Sequence, residues 1–166
     1  MPAVPPYLMP WQPHPQDEAH FTSAVAVSQF AVSSPDLTDK HRIRLLNDAI
    51  WYRTEAASKI RIRYRSGGVL ALGSAAPAVW RKVIRHEHVQ TRASLIARML
   101  AEPDQVEAIL AEATSCLVTV DEHHLLTQYD ISANGWDRYR LAGIDVYDFN
   151  GDPPTPFIRN KRQVDQ

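Results

Sequence analysis

The run Ile60-Arg61-Ile62-Arg63-Tyr64-Arg65 alternates apolar and basic residues with a period of two. A helix turns by about 100° per residue and would scatter such a pattern around its surface. An extended strand instead gathers Ile60, Ile62 and Tyr64 on one face and Arg61, Arg63 and Arg65 on the other. The pattern predicts a half-buried strand with its arginines facing out. Ser66-Gly67-Gly68 tolerates positive φ and reads as a hairpin turn. Val69-Leu70-Ala71-Leu72 then reads as the return strand, and residues 78–89 as a third. In that third strand Trp80, Lys82, Ile84, His86 and His88 point one way, and Arg81, Val83, Arg85, Glu87 and Val89 the other. The expected unit is a basic antiparallel meander.

Helical spacing appears on both sides of it. Ile43, Leu46, Ile50, Trp51 and Ala57 form one stripe, with Thr38 or Asp39 as a cap. Thr91 can cap a helix whose apolar face is Leu95, Ile96, Met99 and Leu100. Pro103 suits the first turn of the next, with Val106, Ile109, Leu110 and Ala113 turned inward. Cys116-Leu117-Val118-Thr119-Val120 is a short buried strand, and Asp121-Glu122-His123-His124 begins a helical turn. Residues 137–142 read as a helix with Gly143 as its C-cap, and 144–149 as a last strand. Strand runs and helix runs are partly segregated, which predicts an α+β single domain. Its parts are an N-terminal helix, an antiparallel meander of about three strands, two further helices and two C-terminal strands. That core spans 38–149. A Pro-rich arm and loop (1–37) precede it, and a tail (150–166) follows. Residues 1–16 hold six prolines with Val4, Tyr7, Leu8, Met9 and Trp11 among them, so the arm is expected to dock, not to build regular structure. Residues 18–32 fit either a short helix or a strand.

A net charge of −1 conceals an asymmetry. Residues 40–98 carry 13 Lys and Arg against three acids (Asp48, Glu55, Glu87), whereas the residues after Arg98 carry five basic groups against 12 acids. A basic middle attracts phosphate-bearing partners, although a solvated face paired with the acidic half would have the same composition. No run of about 18 apolar residues exists to span a membrane, and no basic-then-apolar leader opens the chain. The one cysteine, Cys116, excludes an intrachain disulfide and suits the cytoplasm.

Proton-transfer groups concentrate in Arg85-His86-Glu87-His88. Histidine titrates near neutrality, Glu87 can orient it or act as a base, and Arg85 or Arg92 can clamp a phosphate. Glu122-His123-His124 follows a buried strand and is a second source of a catalytic histidine, His123. Each cluster also fits an ordinary polar strand end or helix start. His86 and His88 have the His-X-His spacing of some zinc sites, but there is no Cys pair and no His-Glu-X-X-His. No cofactor and no metal are expected. Walker A, Gly-X-Gly-X-X-Gly and Gly-X-Ser-X-Gly motifs are missing. Gly135-Trp136-Asp137-Arg138-Tyr139-Arg140 can stack on a base, or pack Trp136 and Tyr139 inward on an amphipathic helix.

An N-terminal helix, a meander, and Arg61, Arg63, Arg65, Lys82, Arg85, His86, Glu87, His88 and Arg92 on the sheet resemble the superfamily that includes barnase, EndoU, the colicin E5 and D nucleases and RelE. The likeness covers residues 38–149 at the level of element order and residue type. It implies a small, metal-independent ribonuclease, often a toxin or a phage-defence protein, with a cognate inhibitor as partner. On this reading His86, Glu87, His88, Arg85, Arg92 and His123 form the catalytic set, and Arg61, Arg63, Arg65 and Lys82 bind RNA. The alternative is a non-catalytic adaptor that holds nucleic acid or an acidic protein on the basic hairpin face.

Overall fold

The computed structural model describes residues 4–55 and 60–160, without the side chain of Glu55. Ala57, the start of the expected hairpin at Ser58, and Lys161 and Arg162 of the expected tail lie outside the described residues. In chain order the elements are α1 (Asp17–Ser33), α2 (Asp39–Glu55), β1 (Tyr64–Ser66), α3 (Gly67–Ala71), α4 (Pro77–Val83), β2 (Ile84–His88), α5 (Arg92–Ala101), α6 (Val106–Glu112), β3 (Ser115–Thr119), α7 (Val120–Thr127), α8 (Trp136–Leu141), β4 (Val146–Asp148) and β5 (Thr155–Ile158). The class is α+β. Among the described residues no helix is long and apolar enough to cross a membrane.

The described residues gather into two compact units. The helical unit holds residues 13–55 and 88–114 and contains α1, α2, α5 and α6. Its core is Ala24, Ala31, Leu46, Ala49, Ile50, Leu95, Ile96, Met99, Val106, Ile109, Leu110 and Ala113. The ambiguous stretch 18–32 is helical because Ala24, Ser28 and Ala31 fall on one buried face at spacings of four and three. The end of α1 is closed by Arg42. Its guanidinium donates to the carbonyls of Ala31, of Val32 and Ser34 at 3.0 Å each, and of Leu37 at 3.3 Å. A cation there satisfies carbonyls that the helix end leaves open and complements its negative pole. Thr38 opens α2, accepting from the His41 N–H.

The sheet unit holds residues 4–12, 60–87 and 115–160. Strand order is β2-β3-β1-β4-β5. β1 runs parallel to β3 (Tyr64 opposite Cys116, Arg65 opposite Leu117) and antiparallel to β4, and β4 is antiparallel to β5. The expected meander is therefore wrong. β1 lies in the middle of a mixed sheet, and no hairpin follows it. Ser66-Gly67-Gly68 opens α3 instead: the Ser66 side chain caps the helix by accepting from the Val69 N–H at 3.2 Å. Residues 78–83, expected to be extended, form most of α4, which begins at Pro77 and buries Trp80. β5 lies within the expected tail. In the arm, Tyr7 is buried with Ile62, Val69, Trp80, Ile84 and Leu117, and its hydroxyl donates to the Gly73 carbonyl at 2.7 Å.

The carboxylate of Glu122, at the start of α7, ties the ends of the two parallel strands together. It accepts from Ser66 Oγ at 2.5 Å and the Gly68 N–H at 3.1 Å on one side, and from the Thr119 N–H at 2.8 Å on the other. A Cβ on Gly68 would stand 2.6–2.8 Å from this carboxylate. Gly68→Ala is expected to push Glu122 off these donors and to cost about 1–2 kcal/mol of stability, which urea unfolding would measure.

Candidate acid–base site

Of the sequence-predicted groups of the sheet unit, Glu87 on β2 and His123 on α7 come together, with Arg138 of α8 on the other oxygen of Glu87. On β2 the alternation puts Arg85 and Glu87 on one side and His86 on the other. Arg85 is exposed, while His86 and Glu87 are half-buried. Glu87 Oε2 lies 2.7 Å from His123 Nδ1 at the start of α7. Glu87 Oε1 accepts from Arg138 Nη2 on α8 at 3.0 Å, and that nitrogen also lies 2.5 Å from Asp130 Oδ1. The Arg138 side chain is 1% exposed and that of Glu87 12%, whereas that of His123 is 38% exposed. A carboxylate only accepts, so Nδ1 of His123 carries the hydrogen. Nε2 of the neutral ring is then the basic nitrogen, on a half-exposed side chain. His124, exposed, has its ring centroid 5.9 Å from that of His123.

Arg138 and Asp130 were not among the expected site residues. Sequence carries one sign of Arg138. It neighbours Tyr139 on the helix, and a helix that buries Tyr139 sweeps the adjacent position toward the protein. A buried arginine needs an acid, but nothing in the chain names Glu87 as that acid.

The remaining expected residues divide between the units. His88 belongs to the helical unit, where it is 6% exposed. Its Nε2 lies 3.0 Å from Thr54 Oγ1, and its ring meets Trp51 edge-on at 4.5 Å. Arg92, in the same unit, lies over Trp51 at 5.3 Å and donates to Asn47 Oδ1 at 3.2 Å. In the sheet unit Arg61 and Lys82 are exposed. Arg63 donates to both carboxylate oxygens of Asp148, at 2.8 and 2.6 Å. Arg65 corrects the sequence reading. It does not face out but is fully buried. Its Nε donates to the Ile62 carbonyl at 3.0 Å and its Nη1 to the carbonyls of Tyr7 and Met9 at 2.7 Å each. Its guanidinium lies 3.8 Å from the centroid of the Phe149 ring. Burial, with Arg61 nearby, lowers its pKa to about 10. The cause of the misreading is local: β1 begins only at Tyr64, so the alternation from Ile60 is not carried on one continuous strand. Among the described residues no group of three His, Cys, Asp or Glu is placed to hold a metal ion.

Two outcomes test this account. Removing Arg65 strips donors from three carbonyls, so Arg65→Ala is expected to cost roughly 3 kcal/mol or more, against under about 0.5 kcal/mol for Arg61→Ala, in parallel denaturant titrations. Arg63 holds the Asp148 carboxyl below its ordinary range. A depressed acid stabilises the fold above its unfolded pKa, near 4, and that contribution disappears as pH falls through the folded value. Asp148→Asn is therefore expected to lower stability at pH 7 and to flatten its decline below about pH 4, read from melting temperature against pH.

Searches of protein-family models, of curated proteins and of solved structures each found no match to the chain.

Proposed function

We propose that the protein is a ribonuclease-type phosphodiesterase in which His123, oriented by Glu87, is the general base. The observation that carries this reading is the chain of contacts Arg138–Glu87–His123 (3.0 and 2.7 Å), which leads from a buried cation to a half-exposed imidazole. A carboxylate on Nδ1 fixes the tautomer and stabilises the imidazolium that forms when Nε2 takes a proton. In this mechanism Nε2 removes the proton from a ribose 2′-OH as its oxygen bonds to the adjacent phosphorus. The bond from phosphorus to the 5′ oxygen breaks, and His124 protonates that oxygen. Arg85 shares the Glu87 side of β2 and meets the charge that develops on the phosphate. Exposed Arg61, Arg81 and Lys82 would add to the field that draws RNA in.

Kinship with the barnase–RelE superfamily, a toxin or defence role, a cognate inhibitor and residence in the cytoplasm all belong to this proposal. A binding role without catalysis is the second reading. It is favoured by the same exposed cations and by the burial of Arg138, since a buried ion pair also serves a purely structural purpose.

Labelled RNA and DNA, incubated with the full chain with and without EDTA, separate the two. The expected result is EDTA-resistant cleavage of RNA that falls about 10²–10⁴-fold in His123→Ala with no change in melting temperature. Glu87→Gln should lose activity and stability together, because it weakens the hold on a buried Arg138. Intact RNA in every lane, with association that weakens steeply as salt rises, would leave the binding reading.

A further inference from the structure

Three rings from distant parts of the chain meet in the sheet unit. Tyr64 of β1, Trp136 of α8 and Phe157 of β5 have centroid separations of 5.0 Å (Tyr64–Trp136), 4.8 Å (Tyr64–Phe157) and 4.9 Å (Trp136–Phe157). They do not form a sealed core: Phe157 is 44% exposed, and Tyr64 and Trp136 are half-buried. One guanidinium stands beside them, and two further arginines are close in sequence. The Arg63 guanidinium, which also pairs with Asp148, lies 5.1 Å from the Tyr64 ring centroid. Arg140 follows Trp136 by one helical turn and its side chain is 56% exposed, although it also pairs with Asp137. Arg159, exposed, is two residues beyond Phe157.

This cluster is continuous with the acid–base site through α8. Trp136 packs on the fully buried Tyr139, ring centroids 5.1 Å apart. Between them in sequence, Arg138 reaches Glu87 on β2. β1 and β2 flank β3, so Tyr64 and Glu87 stand on strands separated by two strand spacings, roughly 10 Å. Half-exposed rings with an arginine beside them are a feature on which unpaired bases stack, because every base presents a π-face and its phosphate seeks a cation.

We propose that Tyr64, Trp136 and Phe157 are a base-stacking subsite that holds one unpaired base of single-stranded RNA beside the phosphate attacked at His123. The position of the scissile phosphate rests on the reading of the Glu87–His123 site given above. The stacking itself does not.

The test uses the full chain and a 2′-O-methyl RNA oligomer, which lacks the attacking hydroxyl and binds without being cut. A single abasic position is moved along the oligomer. One such position is expected to weaken binding roughly tenfold. Phe157→Ala, at the most exposed ring, should bind the intact oligomer as weakly as the wild-type chain binds the abasic one. It should show no further loss with the abasic oligomer, and Phe157→Trp should restore the difference. The proposal is overturned if no abasic position matters, if Phe157→Ala weakens both oligomers equally, or if no oligomer binds. Cleavage of unmodified RNA is scored separately. An abasic penalty with uncut RNA keeps the subsite and removes the catalytic reading, whereas cleavage without a penalty removes only the subsite.

Discussion

Arg65 carries a charge into the middle of the sheet unit, and the arrangement around it follows from the need to satisfy that charge. A buried guanidinium is tolerated only where it is hydrogen-bonded. Its acceptors are the carbonyls of Ile62 in the lead-in to β1 and of Tyr7 and Met9 in the N-terminal segment, with the Phe149 ring beneath. The proline-rich segment is thereby tied to the central strand through main-chain oxygens, which proline keeps even though it lacks the N–H. Further ties lie on either side: the Tyr7 hydroxyl on Gly73 and the Trp11 N–H on the Phe149 carbonyl.

A second constraint acts at the far end of the same strand. Glu122 bonds to Ser66, Gly68 and Thr119, and so locks the starts of α3 and α7 side by side at the ends of two parallel strands. The residue after Glu122 is His123. The capping box of α7 therefore sets where the imidazole emerges, and Glu87 and Arg138 set how it is turned. Packing and proposed chemistry share one short segment, in which Glu122 is structural and His123 is the proposed base.

Much of the helical content was readable from spacing. The stripe through Leu46 and Ile50, the Thr91 cap, the second helix through Ile109 and Leu110, and the Gly143 stop all follow local rules that hold whatever the surroundings. The helical turn at Asp121-Glu122-His123-His124 was also expected, and the structure adds the capping box of Thr119 and Glu122 that opens it. The hairpin failed because Ser66-Gly67-Gly68 has two local solutions, a turn and a helix start, and only the parallel partner β3 and the Glu122 carboxylate choose between them. Residues 78–83 failed for a related reason: Ala78-Val79-Trp80-Arg81-Lys82-Val83 has no strict period of two, and after Pro77 it fits a short helix with Trp80 inward.

The candidate site was legible as an inventory and not as a constellation. The sequence alone determined that Glu87 and several histidines, among them His86, His88, His123 and His124, are available as proton-transfer groups and that arginine dominates the middle of the chain. It also determined that no intrachain disulfide is possible and that α and β elements mix. Tertiary structure decided that Glu87 faces His123, with Arg138 behind it. It also decided that His88 lies beside Thr54 and Trp51 in the helical unit, and that Arg65 serves the fold instead of a ligand. The physical reason is range. Helix spacing and capping are settled by neighbours within a turn, whereas Glu87 and His123 are 36 residues apart, and Arg65 and Tyr7 58 apart. Only the packed sheet brings such groups within the reach of a hydrogen bond.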